Sequence, residues 1–359
     1  MRTLTLCSSS LLALSLFAAC ASSPPSPTTR PPAVESRLPI VLVHGIAGFP
    51  WSSGIPYFKG LPEALHARGD HVVTAALPPY DDDPVRSSFL ARAIDDVLRE
   101  TGAARVHVIA HSQGGLDARH LVEHTEYARH IATVTTISTP HHGTPIADLA
   151  YDLLPNVLLD ATLGAHALVI GEPSDVEFTP ADGSAAVFAL TSEARRARNT
   201  HVDDEVWRRT PLFSFAGVTG GGGDALCATG HFGGLTVESA PQASLVPTWA
   251  TIALFGDDGP LANDGLVPAE SAAFGHFLGC LPGDHMELMG HGGLAFRGEG
   301  TVELDFVTFF TGYVERLHAV VATGDVRAML DAPPPGVPTL EGRDVRFARV
   351  LEGARSEAH

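Results

Sequence analysis

Ser112 stands in the run Val106-His107-Val108-Ile109-Ala110-His111-Ser112-Gln113-Gly114-Gly115, where an apolar strand pattern feeds a small-x-Ser-x-small turn. Small residues on both sides of a serine let the chain reverse sharply. Such a turn lifts the hydroxyl off the strand end, and the helix that follows aims its first amides toward it. This arrangement suits a serine nucleophile that attacks a carbonyl and carries the acyl group for part of the cycle. Ala110 occupies a position where glycine is commoner. A second signal, His44-Gly45-Ile46-Ala47-Gly48, follows the apolar run Ile40-Val41-Leu42-Val43. Negative charge on a tetrahedral intermediate needs two preorganised N–H donors. Gln113, directly after the nucleophile, supplies one, and the loop amide of Ile46 the other.

A base and an orienting acid are expected downstream in the order Ser, acid, His. Asp264 lies in the turn-rich Asn263-Asp264-Gly265-Leu266-Val267-Pro268, and His285 in Gly283-Asp284-His285-Met286-Glu287. The sequence holds 18 histidines, so rivals exist. His276 and His291 are alternative bases, and Asp257, Asp258 and Asp284 alternative acids. Chain order selects Asp264 and His285.

These residues need a scaffold. Ile40–Val43, His71–Leu77, Val106–Ala110, Ile131–Ser138, Leu212–Val218 and Ala272–Leu278 read as strands. Residues 87–101 form an amphipathic helix behind a serine N-cap. Residues 114–128 and 304–321 are further helices. Strands alternating with helices give the α/β class with a mostly parallel, doubly wound sheet. The stretch 146–210 breaks the rhythm and reads as an insertion. Within it Ile146, Leu149, Ala150, Leu153, Leu154, Val157 and Leu158 share one helical face, opposite Asp148 and Asp152, and Pro155 should kink or end the helix. Gly220–Gly223 is a flexible run, and no internal repeat is present.

The chain resembles the bacterial true lipases of the Pseudomonas and Burkholderia type. Four blocks over roughly residues 38–295 carry the likeness. They are Leu-Val-His-Gly-x-Ala-Gly-Phe at 42–49, His-Ser-x-Gly-Gly at 111–115, Ser138-Thr139-Pro140-His141-His142-Gly143, and Asn263-Asp264-Gly265-Leu266-Val267 followed by His285. The resemblance implies an α/β-hydrolase fold with a helical lid insertion. It also implies Ser112 as nucleophile, Asp264 as acid, His285 as base, and oxyanion amides at Ile46 and Gln113. The elbow with Ala110 is similar to that of some Bacillus-type lipases. Position, after the Pro140-His141-His142-Gly143 loop, places the lid at 146–159. Similar lipases bind a structural Ca²⁺ near the His loop. Glu287 takes the place of one acidic ligand, but the stretch comparable to the other reads Ala240-Pro241-Gln242-Ala243. The sequence therefore does not require calcium, and it implies no organic cofactor.

The whole chain bounds these readings. It has 359 residues, 45% of them apolar, and a net charge of −18 from 23 Lys plus Arg against 41 Asp plus Glu. No basic stripe appears, which excludes nucleic acid as a partner. Residues 1–20 read as a lipoprotein-type signal peptide in which Leu16-Phe17-Ala18-Ala19-Cys20 makes Cys20 the lipidation site. Ordinary cleavage after Ala21 is the alternative. Either reading puts the protein outside the cytoplasm, as an outer-membrane lipoprotein or a secreted protein. Residues 21–37 form a Ser/Pro-rich tether, 38–330 the hydrolase domain and 331–359 a polar tail. With Cys7 in the leader and Cys20 at the anchor, Cys227 and Cys280 are expected to pair in an oxidising compartment. The expected partners are a lipid or small ester and a membrane, met through the N-terminal lipid and the lid. The expected activity is ester hydrolysis on triacylglycerols. A short-chain esterase, an acyltransferase and a non-catalytic surface lipoprotein are the alternatives.

Overall fold

A computed structural model describes residues 37–48, 51–52, 55–170, 182–200, 202, 204–220, 227, 241–256, 260–292, 304–324 and 326. Cys20, the leader, nearly all of the tether, the polar tail, Asp257, Asp258 and Gly221–Gly223 lie outside the described residues.

Six strands, β1 (Ile40–Val43), β4 (Val72–Ala75), β5 (Val106–His111), β6 (Ile131–Ile137), β7 (Leu212–Val218) and β8 (His276–Pro282), form one sheet in the order β4-β1-β5-β6-β7-β8. Every pairing in it is parallel. A small antiparallel pair, β2 (Trp51–Ser52) and β3 (Ile55–Pro56), follows β1. The helices are α1 (Leu61–Ala67), α2 (Asp83–Thr101), α3 (Gln113–His124), α4 (Pro145–Leu153), α5 (Asn156–Ile170), α6 (Gly183–Ala189), α7 (Ser192–Asn199), α8 (Asp204–Arg209), α9 (Val246–Ala253), α10 (Ala269–Ala272) and α11 (Phe306–Thr323).

Alternation along the strands sorts side chains to two layers. Val41, Val43, Val106, Val108 and Ala110 pack with Phe89, Leu90 and Ile94 of α2 and Leu121 and Val122 of α3. Ile40, Leu42, Ile109, Phe213 and Phe215 face the other way, onto Leu61 and Leu65 of α1 and Phe309, Phe310 and Val314 of α11. Helices thus cover both faces, which is the doubly wound arrangement expected of continuous apolar strands. Ser112 follows the C-terminal end of β5, in the middle of the sheet. Cys227 and Cys280 form a disulfide with 5.6 Å between Cα atoms, tying β8 across 53 residues.

Three element boundaries differ from expectation. The helix expected from residue 87 begins at Asp83, because Asp82 caps it by accepting from Val85 N (3.2 Å); Ser87 is buried inside the first turns. The helix expected to reach 128 stops at His124, where Thr125 turns extended and its hydroxyl caps a short 3₁₀ turn over Glu126–His130. The strand expected over 272–278 runs from His276 to Pro282. Ala269–Ala272 is helical instead, and Gly275, at φ 59°, separates the two. Within the 146–210 insertion the described elements are all helices, α4 to α8. Among the described residues no helix is long and apolar enough to cross a membrane.

Candidate active site

Ser112 has φ 55° and ψ −130°, a conformation that a non-glycine residue adopts only when its surroundings hold it there. Close packing does so. A Cβ at Gly45 would lie 2.6 Å from Ser112 Cβ, one at Gly114 would lie 2.7 Å from Val43 O and His44 O, and one at Gly115 would collide with Thr139. Those glycines let the turn press against the end of β1 and the loop after β6. The hydroxyl-bearing residue is 5% exposed.

Asp264 and His285 come together from different elements. A bridge between Thr219 and Asn263 pins the acid's turn beside the C-terminal end of β7. His285 lies in the loop after β8. Asp264 Oδ2 accepts from His285 Nδ1 at 2.7 Å. Its Oδ1 accepts from the main-chain amides of Leu266 (2.9 Å) and Val267 (2.8 Å), and His285 N donates to Asp264 O at 2.8 Å. The carboxylate is wholly buried. An imidazole that donates from Nδ1 presents Nε2 as its basic nitrogen. The His285 ring lies 4.4 Å from that of His111, the residue before Ser112. The rival residues are placed otherwise. His276 begins β8, at the opposite end of the parallel sheet. His291 Nε2 is 2.9 Å from Tyr57 O. Asp284 takes amide donors, described below.

The loop after β1 is braced from several directions. Ala47 N donates to Pro79 O (2.9 Å), Gly48 N to Gly45 O (3.2 Å) and Gly45 N to the Tyr57 hydroxyl (3.0 Å). The Ile46 amide has no main-chain partner among the described residues, and neither has that of Gln113, the first residue of α3. The Gln113 side chain donates to Asp81 O at 2.7 Å. His44 accepts from Leu77 N at Nε2 (3.2 Å), so its proton sits on Nδ1, which donates to Gly45 O (3.0 Å). Burial, and then the nearby Arg86 charge, lower His44 to about 3. Its ring is a neutral strut.

Two residues of this site, Tyr57 and Arg86, carry no motif signal. Tyr57 accepts from Gly45 N, so its own proton goes to His111 Nδ1 at 2.8 Å. Burial raises its phenol to about 12 and, with the His285 charge second, holds His111 well below the usual histidine range. Arg86, wholly buried on α2, donates to Asp117 of α3 (2.8 Å), to His44 O (2.8 Å) and to Pro78 O. It joins the loop after β1 to the helix after Ser112. Arg86 lies just before the helix expected over 87–101, and nothing in the sequence marked it as a buried arginine.

Above the site, α4 and α5 meet at Pro155, which ends the first and precedes the second. Leu116, Ala147, Leu159, Val187 and Leu190 form a small core there, with Ile46 and Ala150 packed against it. The expected face does not act as one. Ile146 and Ala150 are half-buried, but Leu153 (73%) and Val157 (76%) are exposed, as are Leu149, Leu154 and Leu158. Asp148, expected on the outer face, instead binds Ser192 N and Oγ of α7, both at 2.7 Å. Two hydrogen bonds to a carboxylate outweigh the burial of one more leucine, so they set the roll of the helix.

Glu287, which stands where similar lipases have a calcium ligand, accepts from Asp284 N at 2.9 Å. Among the described residues no group of three His, Cys, Asp or Glu could hold a metal ion. The donor set around Asp284 consists of N–H groups, which does not fit a cation that needs inward-facing oxygens.

Residues 39–168 match the family described as alpha/beta hydrolase fold. The chain is 32% identical over 204 residues to the triacylglycerol lipase of Vibrio cholerae, covering 55% of this chain and 64% of that one, less than two thirds of its length. It is 29% identical over 276 residues to the triacylglycerol lipase of Burkholderia plantarii, covering 68% of this chain and 76% of that one. The crystal structure of Staphylococcus hyicus lipase matches with a TM-score of 0.54 at 19% identity, over 79% of this chain and 97% of that chain. At that identity the structural likeness speaks for the fold.

Proposed function

We propose that this chain, which has the α/β-hydrolase fold and is similar to bacterial triacylglycerol lipases, is a serine hydrolase that cleaves carboxylic esters of lipids. The observation that carries the reading is the buried contact of His285 Nδ1 with Asp264 Oδ2 at 2.7 Å, with the His285 ring 4.4 Å from that of His111, which precedes a serine held at positive φ. Ser112 Oγ attacks the ester carbonyl and His285 Nε2 takes its proton. Asp264 fixes the tautomer and stabilises the imidazolium. The amides of Ile46 and Gln113 receive the oxyanion. Collapse of the intermediate expels the alcohol, protonated by His285, and leaves an acyl-Ser112 ester. Water, deprotonated by the same histidine, releases the acid.

Lipid rather than a small soluble ester is favoured by Leu149, Leu153, Leu154, Val157 and Leu158, which present apolar side chains to the outside on α4, α5 and their junction. An oil–water interface removes the cost of exposing such a surface. The lipoprotein-type start, with Cys20 as its acylated residue, is proposed as the anchor that keeps the exported enzyme at a membrane.

The test is turnover of p-nitrophenyl esters of graded acyl length. Ser112→Ala, Asp264→Asn and His285→Ala should each lower kcat/KM by roughly a thousandfold or more while thermal unfolding stays cooperative. A Ser112→Ala protein with wild-type turnover would overturn the reading.

A further inference from the structure

The loop carrying His285 is closed by a contact that no motif announces. Asp284, wholly buried beside the histidine, receives four amide donors. Met286 N and Glu287 N reach its Oδ1 at 2.9 Å each, which fixes the turn from within. The other two come from one distant residue. Gln242 N donates to Asp284 Oδ2 at 2.8 Å, and Gln242 Nε2 to Asp284 Oδ1 at 3.2 Å. The same Nε2 donates to His291 O at 2.9 Å, so both of its protons are used. Gln242 thus grips the segment at both ends, before and after His285, across 42 and 49 residues of chain.

We infer that the Gln242 side-chain amide, and not a divalent cation, locks the His285 loop in place; the claim that this lock serves turnover rests on His285 being the base. The amide orientation follows from its partners. Turned over, Oε1 would face a carboxylate oxygen and a carbonyl oxygen and repel both. A cation at this point would need oxygen ligands converging on it, where two N–H bonds now point outward to oxygens. The amide therefore does the bridging between carboxylate and carbonyl that a metal does elsewhere, without a charge to desolvate. Gln242 is a positioning residue. It acts on His285 through Asp284, and through His291, whose Nε2 lies 2.9 Å from the carbonyl of Tyr57.

Two readouts on the full chain test this. Thermal unfolding of the wild type should be unchanged between excess EDTA and millimolar Ca²⁺. Gln242→Ala should unfold several degrees lower in both media, because the buried Asp284 carboxylate loses one of its four amide donors and His291 O loses its side-chain donor. On a soluble ester it should lose about tenfold in kcat with KM nearly unchanged, the signature of a misplaced base. The inference is overturned by a wild type that melts lower in EDTA and recovers with Ca²⁺, or by a Gln242→Ala protein unchanged in both melting and kcat. The melting arms need no turnover, so they decide the question even if the ester-hydrolase reading fails.

Discussion

Tyr57 joins two parts of the candidate site. Its hydroxyl takes the Gly45 amide on one side and gives its proton to His111 on the other. The first contact holds the loop whose next amide, that of Ile46, is assigned to the oxyanion. The second holds the residue before Ser112. With its phenol raised to about 12, Tyr57 stays neutral and keeps both roles across the working pH range. Removing the hydroxyl leaves Gly45 N and His111 Nδ1 without their partner. A hydrogen bond of this kind is worth about 1 kcal/mol. Tyr57→Phe should therefore lower kcat by roughly five- to tenfold with little change in KM. Steady-state kinetics on a soluble ester would check it, and an unchanged kcat would remove Tyr57 from the supporting network.

Among the elements, the pair α4 and α5 is the one whose placement carries a functional consequence. Its inner side rests on the small core that includes Leu116 of α3, and its outer side shows leucines and valine to the surroundings. Leu153 is 73% exposed, so replacing it by aspartate costs little folding stability. It does place a charge where an apolar phase should dock. Leu153→Asp should reduce hydrolysis of emulsified long-chain triacylglycerol severalfold while leaving a soluble short ester nearly unaffected. Rates measured below and above the substrate's solubility limit would separate the two. Equal loss on both substrates would mean that α4 supports the site rather than meeting lipid.

At the scale of the whole molecule, buried neutral histidines set the response to acid. His44 and His107 are lowered to about 3, each chiefly by burial, and His111 and His141 lie well below the ordinary value. A histidine whose folded pKa is depressed contributes stability that is intact above about 6.5 and is lost as pH falls toward the folded value. Each such group costs roughly 1.4 kcal/mol per pH unit inside that window. His107 is the cleanest probe because it lies near the start of β5, at the end of the strand away from Ser112. It faces Thr133 Oγ1 at 2.8 Å and the His318 ring at 5.2 Å, with the Arg105 charge nearby. His107→Gln should be the less stable protein at pH 7 and should close that gap as pH drops from 6.5 to 4. Urea midpoints against pH would show parallel curves if His107 were not protonated on unfolding.

The sequence by itself determined what is written in local spacing. The Ser112 turn was legible because a sharp strand-to-helix reversal demands small residues at fixed offsets, and Gly114 and Gly115 fill that demand against Val43, His44 and Thr139. The sheet was legible because parallel strands buried on both faces are continuous apolar runs. The disulfide was legible by counting thiols, and it joins Cys227 to Cys280. Order along the chain selected Asp264 and His285, and the fold brings those two side chains to 2.7 Å. Only the tertiary structure decided the rest. Tyr57, Arg86 and Gln242 look like any polar residue in sequence, since His111, Asp117 and Asp284, which they bind, lie 54, 31 and 42 residues away and leave no periodicity. The roll of α4 was undetermined for the same reason. Its spacing defines an apolar face, but whether that face turns inward depends on Ser192 binding Asp148, a contact between segments that only folding brings together.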